Sequence, residues 1–320
     1  MFIKSVFERL KIAEALPWFL AFSGGKDSTV LLDIVYRYGK SFAVIHNEEL
    51  LKLPVHFEWV YGVLSRLAEN GVDVHVVVPK EDYLTVVFEK RYSPPGHAFL
   101  WCTARFKSRP TARLAKELSV RKYALLTAVR LEESAHRAAG IKARCGACNA
   151  YYIQLLRDDV IHLAPIVDWS TNEVIAYLKT HRQPWSGEDY GFLLERVYCG
   201  EPSVRTGCSL CTVVGRDAML ERYAQCLNDP RYLKVAQLKQ KLREIGLDWD
   251  MRMYRSKKLN DRGLAATREL LLEIFDTMPE LLSGYATFKP HVVEKHLPEI
   301  SHHLARVAVR LPDSIRIYEL

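Results

Sequence analysis

The sequence predicts an α/β fold with a doubly wound, mostly parallel sheet and a mainly helical C-terminal appendage. Apolar runs alternate with helical patterns along the first half of the chain, which is typical of βα units. A glycine pair directly follows the first apolar run, and the alternation stops near Gly187. With 320 residues, of which 49% are hydrophobic and 26% charged, the chain is globular and exceeds the usual size of one domain. We therefore expect an α/β domain over residues 1–190 and a cysteine-containing, helical region over 191–320.

The elements are predicted in order from the hydrophobic periodicity and its end signals. Strands are expected over residues 18–22, 42–46, 72–78, 123–128 and 160–163, and helices over 28–38, 55–69, 111–118, 171–179, 215–246 and 264–282. Ser170 or Thr171 is placed to cap the fourth of these helices, and Glu173 is placed to complete a capping box. The loop before residue 111 contains Pro94, Pro95 and Gly96.

Charge and hydropathy limit the environment of the chain. Its longest apolar stretch, residues 15–22, is far shorter than the ~18 residues that cross a bilayer, so we expect no membrane span. The N-terminus lacks the features of a signal peptide, and we expect a cytoplasmic protein. The net charge of +7 permits a polyanionic partner, and residues 234–262 hold nine Lys or Arg against four Asp or Glu. That segment is either a solvated helical face or a nucleic-acid surface, and the aromatic residues show no stacking pattern in the sequence.

A phosphate-binding loop is predicted where the first strand meets its helix. The residues are Ser23, Gly24, Gly25, Lys26, Asp27 and Ser28. The glycines let the backbone approach a phosphate, the helix N-terminus supplies free N–H groups, and Lys26 adds positive charge. Asp27 is a candidate ligand for Mg²⁺. The spacing differs from that of the Walker A motif.

This string resembles the PP-loop of the ATP pyrophosphatase superfamily. The resemblance implies binding of ATP, or of an adenylyl sulfate nucleotide, and cleavage between the α and β phosphates. It also implies that adenine lies at the end of the second strand, which here is His46 and Asn47.

Three further motifs follow in order, and together they resemble the phosphoadenosine-phosphosulfate reductase family. They are Cys102-Thr103 with Lys107 and Pro110, then Arg130 with Glu133, Ser134 and Arg137, then Pro165 with Asp168, Trp169 and Ser170. Lys107, Arg130 and Arg137 offer positive charge to phosphate or sulfate oxygens. Glu133 is expected to orient an arginine or to help bind metal.

The cysteines favour a different branch from the reductases of that family. No cysteine follows Cys226, where those reductases carry a nucleophilic tail, and Cys102 follows Trp101 rather than a second cysteine. The stretch from Gly207 to Val214 is instead similar to the ATP-dependent, iron–sulfur sulfur-insertion subunit of DNA phosphorothioation systems.

Two metal-binding sets remain open from the spacing of the thiols. The first choice is a [4Fe–4S] cluster on Cys102, Cys199, Cys208 and Cys211, and the rival is a zinc site on Cys145, Cys148, Cys208 and Cys211. Cys145 and Cys148 are alternatively a dithiol or a sulfur relay. Cys226, on a predicted helix, is expected to be buried.

These patterns predict an enzyme that binds ATP and Mg²⁺, adenylates an acceptor and transfers sulfur to it. The acceptor is expected to be a nucleic acid, and the sulfur to come from a donor protein. The alternatives are a reductase of adenylyl sulfate or its 3′-phosphorylated form, using Cys102, Cys145 or Cys148, and a zinc-braced nucleotide-binding subunit without activity of its own.

Overall fold

The computed structural model describes residues 2–133, 139, 152–157, 160–202 and 207–320. Its centre is a seven-stranded sheet of order β5-β6-β4-β1-β2-β3-β7, in which β5 is antiparallel to β6 and all other neighbours are parallel. The strands are β1 Trp18–Ala21, β2 Ala43–Asn47, β3 Asp73–Val78, β4 Tyr123–Leu126, β5 Tyr152–Arg157, β6 Val160–Ala164 and β7 Arg316–Glu319.

Helices cover the sheet and form the C-terminal region. They are α1 Phe2–Leu10, α2 Lys26–Tyr38, α3 Pro54–Glu69, α4 Tyr83–Phe88, α5 Trp101–Thr103, α6 Arg109–Glu117, α7 Thr171–Thr180, α8 Ala218–Cys226, α9 Arg231–Leu247, α10 Asp261–Thr277, α11 Ser283–Phe288, α12 Pro290–His296 and α13 Leu304–Val307. A π-helical turn, Ala104–Ser108, joins α5 to α6, and a second one, Phe192–Val197, precedes the cysteine-bearing loops.

The alternation of apolar side chains places both faces of the sheet in a core. Trp18 and Leu20 of β1 belong to the large core cluster, whereas Phe19 points to the opposite face and packs in a smaller cluster with Leu114 of α6. Period-two alternation in a strand produces this two-sided burial. The predicted doubly wound fold is thereby confirmed.

The sequence did not predict two edge strands, β5 and β7. β7 comes from the end of the chain and pairs with β3, so the C-terminal region supplies an edge of the sheet as well as helices. The predicted segment 215–246 divides into α8 and α9, which are separated by Asn228 and Pro230. The boundary at residue 190 stays a prediction, and the large core cluster contains residues from Val6 to Ile315.

The topology gathers the candidate site at the carboxyl ends of β1 and β4. The chain runs from β1 outward to β2 and β3, then crosses to β4 on the other side of β1. Such a switch point leaves a crevice between two neighbouring strands, where open parallel sheets bind ligands. None of the helices in the described ranges combines the length and apolarity needed to cross a membrane.

Candidate functional site

The loop after β1 is shaped by its close approach to α3. Gly24 has a φ of +80°, and a Cβ atom there would lie 2.2 Å from Cγ2 of Val60 and 2.9 Å from Nε2 of His56. Its carbonyl oxygen accepts a 3.0 Å hydrogen bond from the Trp59 indole. No side chain fits at this position, so the chain requires glycine here for both conformation and space.

The two serines of the loop hold its ends together. The hydroxyls of Ser23 and Ser28 lie 3.1 Å apart, and Ser28 donates to the Gly25 carbonyl at 2.9 Å. Gly25 is the N-cap of α2 and offers no side chain to the free N–H groups of the first turn. The sequence-predicted loop is therefore a strand-to-helix turn with an open helix N-terminus, the geometry that favours a phosphate.

One donor of that helix end already has a partner, Tyr198, which lies 172 residues further along the chain. The Lys26 N–H donates to the Tyr198 hydroxyl at 3.0 Å, and the Lys26 ammonium lies 5.7 Å from the centre of the tyrosine ring. Tyr198 is 3% exposed. An anion that uses the Lys26 N–H must displace this hydroxyl. No sequence motif marks Tyr198, because the contact depends on the tertiary fold alone.

Asp27 lies between two cations. One carboxylate oxygen accepts from the Lys26 ammonium at 3.0 Å and the other from Nε of Arg130 at 2.7 Å. Arg130 is 1% exposed, and its other nitrogens donate to the Trp169 carbonyl at 2.8 Å and the Thr171 hydroxyl at 3.2 Å. Arg130 thus fixes Asp27 in place through a guanidinium that is fully engaged with protein groups.

A second acid, Glu132, also contacts Arg130 and is the neighbour of the predicted Glu133. Glu132 lies 3.3 Å from Arg130 and also accepts from the backbone N–H of Thr171. The hydrogen bond from Thr171, with the nearby charge of Arg130, lowers the pKa of Glu132. Glu133 lies in the same short turn, Leu131–Glu133.

The third predicted motif, which runs from Pro165 to Ser170, contacts Arg130. Ser170 caps α7 and forms the expected capping box with Glu173, while the Trp169 carbonyl accepts from Arg130. Arg9 of α1 binds both carboxylate oxygens of Asp168, at 2.6 and 2.7 Å. The motif therefore acts as a scaffold that holds Arg130 against Asp27.

The predicted adenine-contacting residues at the end of β2 have structural partners. The buried ring of His46 donates from Nδ1 to the Phe22 carbonyl at 2.7 Å, and the Asn47 amide donates to the Thr111 hydroxyl at 2.8 Å. These bonds tie β2 to β1 and to α6. Both residues lie at the carboxyl end of β2, on the same side of the sheet as the phosphate loop after β1.

A buried charged cluster follows His46, and the sequence analysis missed it. Glu48 accepts from Lys52 at 2.8 Å and from the Tyr61 hydroxyl at 2.5 Å. Burial opposes the charges, yet Lys52 and His46 hold the pKa of Glu48 below its ordinary value. Burial and the charge of Lys52 lower the pKa of His56 to about 4. The neutral His56 ring then lies against Gly24, with neither nitrogen in a hydrogen bond.

Three cysteines outside any described disulfide, Cys102, Cys208 and Cys211, lie near Tyr83. The loop that carries Cys208 is fastened to the loop after β2, because the Ser209 N–H donates to the Leu51 carbonyl at 2.8 Å. Burial, followed by the negative charges of Glu49 and Cys211, raises the pKa of Cys208. Burial and the charges of all three cysteines raise the pKa of Tyr83, whose buried hydroxyl has no hydrogen-bond partner.

Cys199 departs from the predicted four-cysteine set. Its sulfur is bonded to that of Cys226, which is exposed rather than buried as expected. A bonded sulfur is not a thiolate ligand, so the structure does not bring the four predicted ligands together. Within the described ranges, no three His, Cys, Asp or Glu side chains converge closely enough to hold a metal ion.

Some predicted residues lie outside the described part of the chain. These are Arg137, Cys145 and Cys148, so the rival zinc set stays a prediction. Lys107 lies on the π-helical turn Ala104–Ser108, and its side chain is outside the description.

The family model for the phosphoadenosine phosphosulfate reductase domain matches residues 17–187, which is more than half of the 320-residue chain. The chain belongs to this family. The matched part holds the phosphate loop, Arg130 and Cys102, whereas Tyr198, Cys208 and Cys211 lie beyond it.

Two solved structures are similar to this family member. A phosphoadenylyl-sulfate (PAPS) reductase from Candida auris, in a phosphate complex, is 20% identical and has a TM-score of 0.43, covering 63% of this chain and 87% of its own. The U34-tRNA thiolase NcsA from Methanococcus maripaludis, with its [4Fe-4S] cluster, is 14% identical and has a TM-score of 0.41, covering 81% of this chain and 85% of its own. At these TM-scores we draw no functional conclusion from either likeness. No curated protein matches the chain by sequence.

Proposed function

We propose that this family member binds an adenine nucleotide at the loop Ser23–Ser28 and couples cleavage of ATP to sulfur transfer. One observation carries the proposal. The segment from Leu51 to His56, which runs from the loop after β2 into the first turn of α3, approaches the phosphate loop through His56 and is bonded to the loop of Cys208 and Cys211 through Leu51. A single short segment therefore links the candidate phosphate cradle to the candidate sulfur chemistry.

The first step in this proposal is adenylation of the acceptor. An acceptor oxygen attacks the α-phosphorus of ATP, the α–β phosphoanhydride bond breaks, and pyrophosphate leaves. The free N–H groups at the start of α2 and the Lys26 ammonium stabilise the negative charge on the departing group. Asp27 is the candidate Mg²⁺ ligand, held in place by Arg130.

The second step is displacement of AMP by sulfur. A hydrosulfide ion adds to the adenylated centre, the bond to the AMP oxygen breaks, and no net oxidation or reduction occurs. We propose that Cys102, Cys208 and Cys211 lie on the side where sulfur enters. The proposal also includes the resemblance to the DNA phosphorothioation subunit, a protein partner that donates sulfur, and a location in the cytoplasm.

The cysteine chemistry supports three ligands for a metal group rather than the predicted four. Cys102, Cys208 and Cys211 are outside any described disulfide and lie near the buried Tyr83 hydroxyl, and thiolates are the usual ligands of iron–sulfur clusters and structural zinc. Cys199 is bonded elsewhere. We route no step through a metal, because the donors do not converge in the described structure.

The family itself favours a second candidate, reduction of a sulfonucleotide. In that reaction the Cys102 thiolate attacks sulfur, the nucleotide leaves, and a second thiol, Cys208 or Cys211, releases sulfite while a disulfide forms. The position of Cys102 within the family match supports this alternative. A zinc-braced binding subunit would perform neither reaction.

Product analysis separates these functions. Purified protein is incubated with ATP, Mg²⁺, sulfide and an oligonucleotide as the acceptor, or with adenylyl sulfate and a thiol reductant. Release of pyrophosphate and AMP in the first mixture supports sulfur transfer, and release of sulfite in the second supports reduction. Lys26→Ala is expected to weaken nucleotide binding more than ~10-fold, since it removes the ammonium of the loop. Unchanged ATP affinity would contradict the assignment of the loop.

Metal analysis tests the three-cysteine set. Iron, sulfide and zinc are measured on protein purified without air, for the wild type, Cys208→Ala, Cys226→Ser and Cys145→Ala. Metal lost with Cys208 and retained in Cys226→Ser supports ligation outside the Cys199–Cys226 pair. Zinc lost in Cys145→Ala would favour the rival set instead. Absence of metal from the wild type would contradict both.

A further inference from the structure

An exposed surface of aromatic and basic side chains lies between α9 and α10. Trp249 is 66% exposed and Tyr254 is 86% exposed. Cations flank both rings, with the Arg252 guanidinium 5.0 Å from the Trp249 ring centre and the Arg255 guanidinium 5.2 Å from that of Tyr254. The Lys257 ammonium also lies over Trp249, at 5.7 Å. We call Trp249, Arg252, Tyr254, Arg255, Lys257 and the neighbouring Arg243 the aromatic–basic surface.

The cations of this surface lack carboxylate partners within the described structure. Arg243, Arg252, Arg255 and Lys257 form no ion pair and no side-chain hydrogen bond there, and Nε of Arg252 is buried without a partner. Three other basic residues of α9 and α10 are paired: Lys234 with Glu273, Lys239 with Asp217 and Arg268 with Glu299. Burial lowers the pKa of Arg252, and the negative charge of Asp248 opposes that shift. Basic side chains without an ion pair therefore lie beside the exposed rings.

A cavity of about 180 Å³ adjoins this surface, and its walls include residues next to Cys102 and Cys211 in the sequence. Residues 93–99, just before Cys102, form one wall, and Thr212 and Val213, just after Cys211, form another. Arg252 and Lys257 line the cavity and also lie over Trp249. Thr212 donates to the Pro95 carbonyl at 2.6 Å and so closes the two cysteine-bearing segments around it. The surface and the cavity therefore share Arg252 and Lys257.

We propose that the aromatic–basic surface binds single-stranded nucleic acid, which is the acceptor in the proposed sulfur transfer. Exposed rings interleaved with unpaired cations fit a chain of alternating bases and phosphates, because bases stack on aromatic faces and Arg or Lys binds the phosphates. An unpaired base next to the one on Trp249 reaches the cavity between the cysteine segments. The role of the strand as sulfur acceptor rests on the proposed function, whereas the binding of the strand rests on the aromatic–basic surface alone.

The tryptophan content provides a selective probe of binding. The other five tryptophans are at most 7% exposed, so only Trp249 is open to contact with an added base. Short oligouridylate and oligothymidylate are titrated into the full-length protein without ATP, with intrinsic fluorescence and the anisotropy of a labelled strand as readouts. Fluorescence and anisotropy are both expected to show one binding event, and binding is expected to quench the tryptophan emission. The tighter of the two strands identifies RNA or DNA as the natural class.

Matched variants test which residues carry the binding. Trp249→Ala is expected to weaken binding about 10-fold, and Trp249→Phe to retain most of it, since one stacked base contributes that much. Arg252→Gln and Lys257→Gln should each reduce the slope of log affinity against log salt by about 0.7. Lys234→Gln removes a charge from the same segment but from a lysine already paired with Glu273, and it should leave the slope unchanged.

Three outcomes overturn the proposal: no binding of either strand, binding without quenching of Trp249, and equal loss of affinity in Lys234→Gln and Arg252→Gln. Tight binding of an intact duplex that ignores Trp249→Ala also overturns it, because stacking needs unpaired bases. The binding test contains no ATP. Oligonucleotide binding by the wild type, with no pyrophosphate released from ATP when sulfide and the bound strand are present, would refute the proposed function and leave the surface assignment standing.

Discussion

Gly24 shows how a single missing Cβ atom shapes the phosphate loop. Gly24→Ala is expected to destabilise the protein by more than 2 kcal/mol, roughly, since it adds both a positive-φ penalty and a contact of 2.2 Å with Val60. Gly39→Ala is the matched control, with a φ of +83° and no neighbour within 4 Å. It should cost only about 1 kcal/mol. Urea unfolding measures both, and equal losses would show that the contact with Val60 relaxes freely.

His56 gives the fold a dependence on acid that can be isolated. Its pKa falls from 6.5 to about 4 on burial, so below about pH 6.5 the unfolded chain takes up a proton that the folded ring refuses. Stability is therefore lost as the pH falls from 6.5 toward 4, and the loss from this ring amounts to about 3 kcal/mol. His56→Leu should remove that part of the decline.

Denaturant unfolding across this pH range tests the role of His56. Other buried histidines contribute to the wild-type decline, so the quantity of interest is the difference between wild type and variant. His302→Gln, at an exposed position, serves as the control and should follow the wild type. The same decline in His56→Leu as in the wild type would mean that His56 titrates normally in the folded protein.

At the scale of elements, the cap of α7 connects local helix chemistry to the site. Ser170→Ala is expected to cost about 1 kcal/mol, because it removes the capping box with Glu173. It should also weaken nucleotide binding several-fold, since Trp169 and Thr171 on either side hold Arg130 against Asp27. Asn260→Ala removes the cap of α10 and should cost similar stability with no change in nucleotide affinity. Equal effects of the two variants on nucleotide affinity would show that the cap of α7 does not contribute to the site.

The same elements show what the sequence could and could not predict. β1 to β4 and β6 were predicted because buried parallel strands are apolar runs, and the loop Ser23–Ser28 because its residues are consecutive. β7 was missed because three of its four residues are exposed and it pairs at an edge, so no hydrophobic pattern marks it. Tyr198, Glu132 and the Glu48–Lys52 pair were missed because each acts through a contact that only the fold creates. Cys199 was assigned to the cluster ligands from the spacing of the thiols, and spacing along the chain does not show that its sulfur meets that of Cys226.

At the scale of the molecule, the C-terminal region is tied into the sheet rather than attached to it. The Tyr285 hydroxyl donates to Asp82 at 3.0 Å, and buried Lys289 pairs with Glu319 of β7 at 2.8 Å. A Cβ atom on Gly284 would lie 2.7 Å from the backbone of Leu50, in the loop that follows β2. The helices after residue 261 therefore press on the segment that links the phosphate loop to the cysteines.

This packing predicts that residues 1–190 do not fold alone into a native domain. Without the C-terminal helices and β7, buried residues such as Leu84 and Val87 lose the partners that share their core cluster, and Asp82 loses both Tyr285 and Lys289. A fragment 1–190 should bind a hydrophobic dye and unfold without a sharp transition, as partly packed chains do. Cooperative unfolding of the fragment, with ATP affinity like that of the full chain, would contradict this and would establish residue 190 as a true domain boundary. Addition of residues 191–320 in trans should restore the transition if the shared core is the cause.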